Sequence, residues 1–233
     1  MATTSRSLPT GPGLLFIQVQ IEPAAFDDHV LGNWFKGSNL WSQTKERSKS
    51  HSSNWECADL SDGPKHLSLW RVENLAEVAE EAGVPSSSSN DAMKETKFEM
   101  RYYSLVEEFE KDKHDESHAT THIITAGMEP ANLEASTDLD KWYSEEHNEQ
   151  MSLEPGWIRS RRYKLADDPG DAFGGPDRRI TWMTIHEFGQ GNKLGNKVEA
   201  LDPVTPWTRK VMGGMSVIEA NVWANTQESS TVH

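Results

Sequence analysis

Apolar and polar residues alternate from Leu14 to Ile21, with Leu15, Ile17, Val19 and Ile21 on one side and Phe16, Gln18 and Gln20 on the other. That two-residue period predicts a strand with one face on a core. Pro23 closes it, and Asp27 and Asp28, carboxylates suited to the unpaired donors of a helix start, precede an amphipathic run from His29 to Ser48. Lys45 to Ser53 reads as a loop leading to Asn54 to Leu60. Alternation returns from His66 to Val72, where Leu67, Leu69 and Arg71 oppose Ser68, Trp70 and Val72, and Leu75 to Ala82 has helical spacing. Ser86 to Ser89 is a low-complexity loop, and Phe98 to Phe109 predicts a strand in which Phe98, Met100, Tyr102, Ser104 and Val106 share a face.

The order then repeats. His122 to Met128 predicts a strand, Leu139 to Leu153 a helix, Trp157 to Leu165 and Arg179 to Glu187 two strands, Val198 to Met212 a broken helix, and Met215 to Ala224 a last strand. Asn33-Trp34-Phe35 answers Lys141-Trp142-Tyr143, and Leu67 to Val72 answers Ile180 to Ile185. These correspondences describe an internal duplication: a flexible arm (1–13), a first β-α-β-β-α-β half (14–110), an acidic, histidine-dotted linker (111–120), a second half (121–226) and a flexible tail (227–233). A four-stranded sheet with helices on one face leaves the other face bare. The expected fold is therefore α+β, two tandem ferredoxin-like halves forming a pseudo-dimeric α+β barrel, with a pocket between sheet and helix in each half.

The most informative stretch is KWYSEEHNEQMSLEPGWIRSRRYKLADD, from Lys141 to Asp168. Trp142, Tyr143, His147 and Met151 make one stripe of a helix, with Glu145, Glu146 and Glu149 largely off it. Pro155-Gly156 breaks the helix, and a strand follows in which Trp157, Arg159, Arg161 and Tyr163 alternate with Ile158, Ser160, Arg162 and Lys164. The run W-Y-x-x-E-H followed by P-G-W and R-R-Y-K resembles the EthD-type branch of the dimeric α+β barrel superfamily, best over residues 120 to 226 and more weakly over 12 to 110. The resemblance implies an acid-base role for the corresponding histidine, His147, as in cofactor-free cyclases, decarboxylases and oxygenases of secondary metabolism. The aligned first-half positions are Asn39 and Phe35, so the same chemistry is expected only in the second half.

Composition narrows the partners. A formal charge of −14 with no basic stripe argues against nucleic acid and against an anionic membrane surface. The apolar run at 14–21 is too short to cross a bilayer, and one cysteine, Cys57, cannot form an internal disulfide; both suit a cytoplasmic protein. Cys57 reads as a small buried or loop thiol. A duplicated chain is compatible with either a monomer or a homodimer.

Two other constellations carry less. His114, His118 and His122 are four apart, and with Asp115 and Glu116 they suggest a metal site if helical, but the segment has no apolar stripe and His122 opens a strand pattern. Gly189 to Gly195, GQGNKLG, lacks the dinucleotide spacing, and Pro203 and Pro206 interrupt the helix that would present its N-terminus to a phosphate, so a flexible connection is expected. No G-x-S-x-G, H-E-x-x-H or P-loop occurs, so neither metal nor cofactor is expected.

Nine tryptophans, among them Trp142 and Trp182, serve core packing or line a cavity for a flat ligand. His147 is the expected general acid or base, with Tyr143 one turn earlier on the same face to orient the substrate or donate a proton. Arg161 and His186, with Trp142 and Trp182, are the candidate substrate contacts. The expected activity is a cofactor-independent lyase or isomerase, of the cyclase or decarboxylase type, acting on a hydrophobic oxygenated small molecule. A cofactor-free oxygenase on an anthrone-like aromatic and a non-catalytic ligand-binding protein are the alternatives.

Overall fold

The computed structural model describes residues 8–21, 51–61, 65–79, 96–111, 119–167 and 179–225. The expected first-half helix with Phe35 and Asn39, the loop at 86–89, His114, His118 and the tail lie outside the described residues. Two compact units emerge: Met1–Trp55, Leu60–Leu105 and Leu165–Gly175 make the first, and Glu56–Asp59, Val106–Lys164 and Pro176–His233 the second.

In the first unit, β1 (Gly13–Ile21) is central and antiparallel to both β3 (Lys65–Val72) and β4 (Thr96–Phe109), and β2 (His51–Cys57) lies beyond β3. Leu15 pairs with Trp70 and Tyr102, and Ile17 with Ser68 and Met100, so the pleat puts these residues on one face. Leu15, Ile17, Val19, Trp70, Met100 and Tyr102 form a buried cluster with Leu75 and Val78, which the short helix α1 (Leu75–Ala79) supplies. Strand β2 departs from the expected loop at 45–53. Its only buried residues, Trp55 and Cys57, flank an exposed Glu56, and two apolar anchors are too few for an alternation to be legible.

The second unit contains β5 (His122–Pro130), α2 (Leu133–Trp142), a π-helical turn (Tyr143–His147), α3 (Asn148–Met151), β6 (Trp157–Asp167), β7 (Trp182–Phe188), α4 (Pro206–Gly213) and β8 (Met215–Asn225). Its strands are ordered β8-β5-β7-β6, and those of the first unit β4-β1-β3-β2. In both, the sequence is fourth, first, third, second, so the duplication seen in the hydrophobic pattern is also a duplication of topology, and the fold is α+β with ferredoxin-like halves.

Several expectations shifted, among them the start of β7, which is Trp182 and not Arg179. Helix α2 begins at Leu133, six residues before the expected Leu139, because the Asn132 side chain accepts a hydrogen bond of 2.9 Å from Ala135 N and caps a first turn with no apolar stripe. Residues 198–205 are irregular. Only Pro206–Gly213 is helical, with Thr205 as its cap and Pro206 in the first turn, where a missing N–H costs nothing; proline here starts the helix that it was expected to break. The connection at 189–195 is pinned: Asn192 Nδ2 donates to Gly189 O at 2.8 Å and to Thr121 Oγ1 at 3.2 Å.

Among the described residues, no group of three or more His, Cys, Asp or Glu could hold a metal, and no helix is long and apolar enough to cross a membrane.

Candidate functional site

The helix that was expected to run smoothly through Tyr143 and His147 carries its π turn there, closed by the bond from Asn148 N–H to Tyr143 O. A π turn holds one residue more than an α turn, and such turns recur at functional sites. Its consequence is geometric. Trp142 and His147, five apart, stack at a ring separation of 4.1 Å and an interplanar angle of 21°, while Tyr143 still meets His147 edge-on at 4.9 Å. Trp142, Tyr143, His147, Asn148 and Met151 are all buried on the sheet side.

That face lines a cavity of about 400 Å³ inside the second unit. The sheet contributes Ile124, Ala126 and Met128 from β5, Ile218 and Ala220 from β8, and His186 from β7; the irregular segment 196–201 and Met212 of α4 complete the wall. The sheet wall is therefore largely apolar apart from His186 and Asn221, the helix adds its rings, and Asp59, Lys197 and Glu199 put charges on the remaining wall. His147 and His186 are 5.5 Å apart, ring to ring, and Tyr143 and His186 are 6.4 Å apart, so the phenol and two imidazoles surround one small volume.

The cavity is fixed from both sides. Glu146 Oε1 accepts from Trp142 Nε1 at 3.1 Å and from Thr205 Oγ1 at 2.6 Å, tying the π turn to the start of α4. Behind Tyr143, the Arg162 guanidinium sits 4.4 Å from the ring centre and donates to Glu107 Oε2 and Asp140 Oδ1, both at 2.8 Å. On β7, His186 Nδ1 is 2.7 Å from Ser160 Oγ, which accepts from Trp157 Nε1 at 3.1 Å. Gly156 makes the turn into β6 at φ +74°, and a Cβ there would stand 2.6 Å from Asn192 N.

Burial, and then the positive charge of Arg162, push the His147 imidazole from 6.5 down to about 3. His186 is held well below 6.5 by burial, then by His147 and Arg162. Burial raises the Tyr143 phenol, against opposing pulls from the Thr184 hydroxyl and Arg162. At neutral pH the site therefore holds two uncharged imidazoles and a protonated phenol. Tyr143 Oη and His147 Nδ1 are enclosed and, among the described residues, have no hydrogen-bond partner of normal geometry; Thr184 influences the phenol without completing such a bond.

Solved structures resemble this chain over most of its length. An anthrone oxidase-like protein matches at 9% identity and a TM-score of 0.58, covering 92% of this chain and 91% of that one. A chlorite dismutase variant from Candidatus Nitrospira defluvii matches at 9% identity and 0.54 (93% and 91% covered), and a candidate monooxygenase from Fusobacterium nucleatum subsp. nucleatum at 8% and 0.53 (92% of each). The likeness is one of fold: the chain has the fold of the dimeric α+β barrel proteins. No family model and no curated protein matches the sequence.

Of the residues singled out in the sequence, Trp142, Tyr143, His147 and His186 meet at the cavity. Arg161 and Trp182 do not line it. Arg161 pairs across the ladder with Ile185, and Ser160 with His186, so alternation puts Arg161 on the opposite face of the sheet from His186, where it binds Glu108 and Glu187. The arginine beside the site is its neighbour Arg162, opposite Thr184. Trp182 shares that face, but its indole donates to Ser136 Oγ at 3.1 Å and its ring carries Arg162 at 5.1 Å and Lys164 at 5.3 Å. Ser160, Arg162 and Glu107 went unread because only the β6–β7 register says which face of β6 turns toward the helix.

Proposed function

We propose that the second unit is a cofactor-independent active site in which His147 takes a proton from a hydrophobic, oxygenated small molecule while Tyr143 donates a hydrogen bond to its oxygen. The outcome is that of a lyase or isomerase of the cyclase or decarboxylase type, as in the EthD-type branch to which residues 120–226 bear a resemblance. The observation that carries this reading is the unpartnered Nδ1 of His147, enclosed beside an apolar cavity and next to an equally unpartnered phenol. Buried polar atoms are normally hydrogen-bonded, so a pair left open in one place marks a site that a ligand completes.

A base held at about 3 carries no proton at neutral pH and is ready to accept one. Burial and the Arg162 charge disfavour the resulting cation. A substrate that becomes an oxyanion a few ångströms away reverses this, because an opposite charge in a water-poor site favours the charged imidazole. Proton transfer of this kind contributes about a hundred- to ten-thousand-fold to a rate.

The apolar lining supports a second reading, cofactor-free oxygenation of an anthrone-like aromatic, in which the carbanion formed at His147 meets dissolved oxygen. The fold likeness to an anthrone oxidase-like protein is compatible with it. Deuterium exchange at the acidic carbon of anthrone, followed by NMR with an oxygen electrode in parallel, tests both. Exchange without oxygen uptake supports the lyase or isomerase reading, and exchange with uptake the oxygenase. Absence of exchange with bound ligand would leave a binding protein and overturn the proposal.

A further inference from the structure

His186 is a buried histidine with half of its hydrogen bonding settled by the protein. Trp157 Nε1 can only donate, and it donates to Ser160 Oγ at 3.1 Å. Ser160 is 1% exposed, and among the described residues its hydroxyl has one other partner, His186 Nδ1 at 2.7 Å. If Nδ1 carried the hydrogen, Ser160 would accept twice and its own O–H would be stranded in the core, which costs more than a hydrogen bond returns. The arrangement that satisfies every donor runs Trp157 N–H to Ser160 O, then Ser160 O–H to His186 Nδ1. The imidazole hydrogen is then on Nε2. That nitrogen has no hydrogen bond to a described residue, and His186 lines the cavity.

The charges around the cavity bear on what meets that donor. Arg162 is committed to Glu107 and Asp140, Arg161 to Glu108 and Glu187, and Lys197, at the cavity wall, lies 3.5 Å from Asp59. Glu199 and Asp59 line the same wall. At the inner end of the cavity stand two neutral donors, Tyr143 Oη–H, enclosed in its wall, and His186 Nε2–H, and among the described residues no unpaired cation lines it.

We infer that His186, locked in its Nε2–H form by Ser160 and Trp157, is a second donor to the substrate oxygen, and that the substrate is an enolisable ketone on an apolar skeleton and not a carboxylate. This rests on His147 as the proton acceptor. The C–H bond breaks, its proton goes to His147 Nδ1, its electron pair becomes the C=C of the enolate, and the carbonyl π pair moves onto oxygen. Two neutral donors stabilise that oxygen more as the charge develops than they do the ketone, which is how such a pair lowers a barrier. Return of the proton from His147 restores the site.

The test needs no turnover. ¹⁵N NMR of the full chain should show the protonated-nitrogen signature on His186 Nε2, and Ser160→Ala should spread it over both nitrogens. 2-Naphthol, a neutral hydroxyl on a flat skeleton, should bind at least tenfold more tightly than 2-naphthoate. His186→Phe should weaken 2-naphthol roughly three- to tenfold, the usual worth of a hydrogen bond between neutral groups, while His186→Gln, whose amide N–H reaches the position of Nε2, should retain most of the affinity. Hydrogen on Nδ1 in the unmodified protein, tighter binding of 2-naphthoate, or native affinity in His186→Phe would each overturn the inference. If these hold and anthrone undergoes no exchange, it is the proton-abstraction reading that fails, with the donor pair standing.

Discussion

Tyr143→Phe separates function from stability at this site. The side chain is 1% exposed, and its ring packs on Trp142 at 5.0 Å, His147 at 4.9 Å and the Arg162 guanidinium at 4.4 Å. Phenylalanine keeps these contacts, including the attraction of the cation for the ring face. What it removes is an enclosed hydroxyl with no hydrogen-bond partner of normal geometry. Such a group costs about 1–3 kcal/mol to bury, of which a nearby hydroxyl such as Thr184 returns part, so the substitution should stabilise by about 1 kcal/mol. For a chain of this size that is a rise in Tm of roughly 2–4 °C. Thermal melting by circular dichroism, with urea titrations showing a higher midpoint at unchanged slope, measures it. The same variant should lose turnover, by less than His147→Asn does if the phenol only orients the substrate. A Tm lower by several degrees would refute the reasoning, since the hydroxyl would then be serving a partner in the folded protein; Tyr143→Ala, which empties the ring volume, should cost about 3–5 kcal/mol and sets the scale.

His147→Asn should preserve the fold and lower turnover about a hundred- to ten-thousand-fold, and full turnover in that variant would make the histidine structural. Because burial pulls His147 from 6.5 to about 3, the unfolded chain binds more protons between those values, so this residue's contribution makes stability fall as pH drops through that window. The change corresponds to on the order of 4–5 kcal/mol at most, and acid unfolding of His147→Asn should be correspondingly shallower. For the same reason, the pH profile of kcat/KM, which reports the free enzyme, should show no limb near 6.5 from this group; such a limb, lost in His147→Asn, would contradict the burial argument. Arg162→Met should destabilise by only about 1 kcal/mol, because Glu107 and Asp140 keep 28% and 53% exposure and rehydrate, and the His147 imidazole, titrated by NMR, should move up toward 6.5. Asn132→Ala should cost about 1 kcal/mol in a denaturant titration through the lost cap of α2, with little effect on ligand binding.

Side-chain spacing along a chain decides which residues share a face of a local element, and that much was legible before any coordinates. The alternation of β1 and β3, the recurring succession of strands and helices along the chain, and the placing of Trp142, Tyr143 and His147 on one helix side follow from periods of two and of about 3.6. Whatever depends on which face of one element meets which face of another was not legible. Arg161 and Arg162 are equivalent in sequence, and only the pairing of Ser160 with His186 and of Arg162 with Thr184 turns the second one toward the helix. The π turn inserts no residue that a pattern would reveal, yet it brings His147 onto Trp142. The tautomer of His186 depends on Ser160, 26 residues away, and the low proton affinity of His147 on burial and a charge supplied by another strand. These are sums over neighbours distant in sequence. Desolvation, register and hydrogen-bond satisfaction take their values only once the chain has closed around the cavity, which is why sequence put His147 on one helix side with Trp142 and Tyr143 while tertiary structure decided its charge and its surroundings.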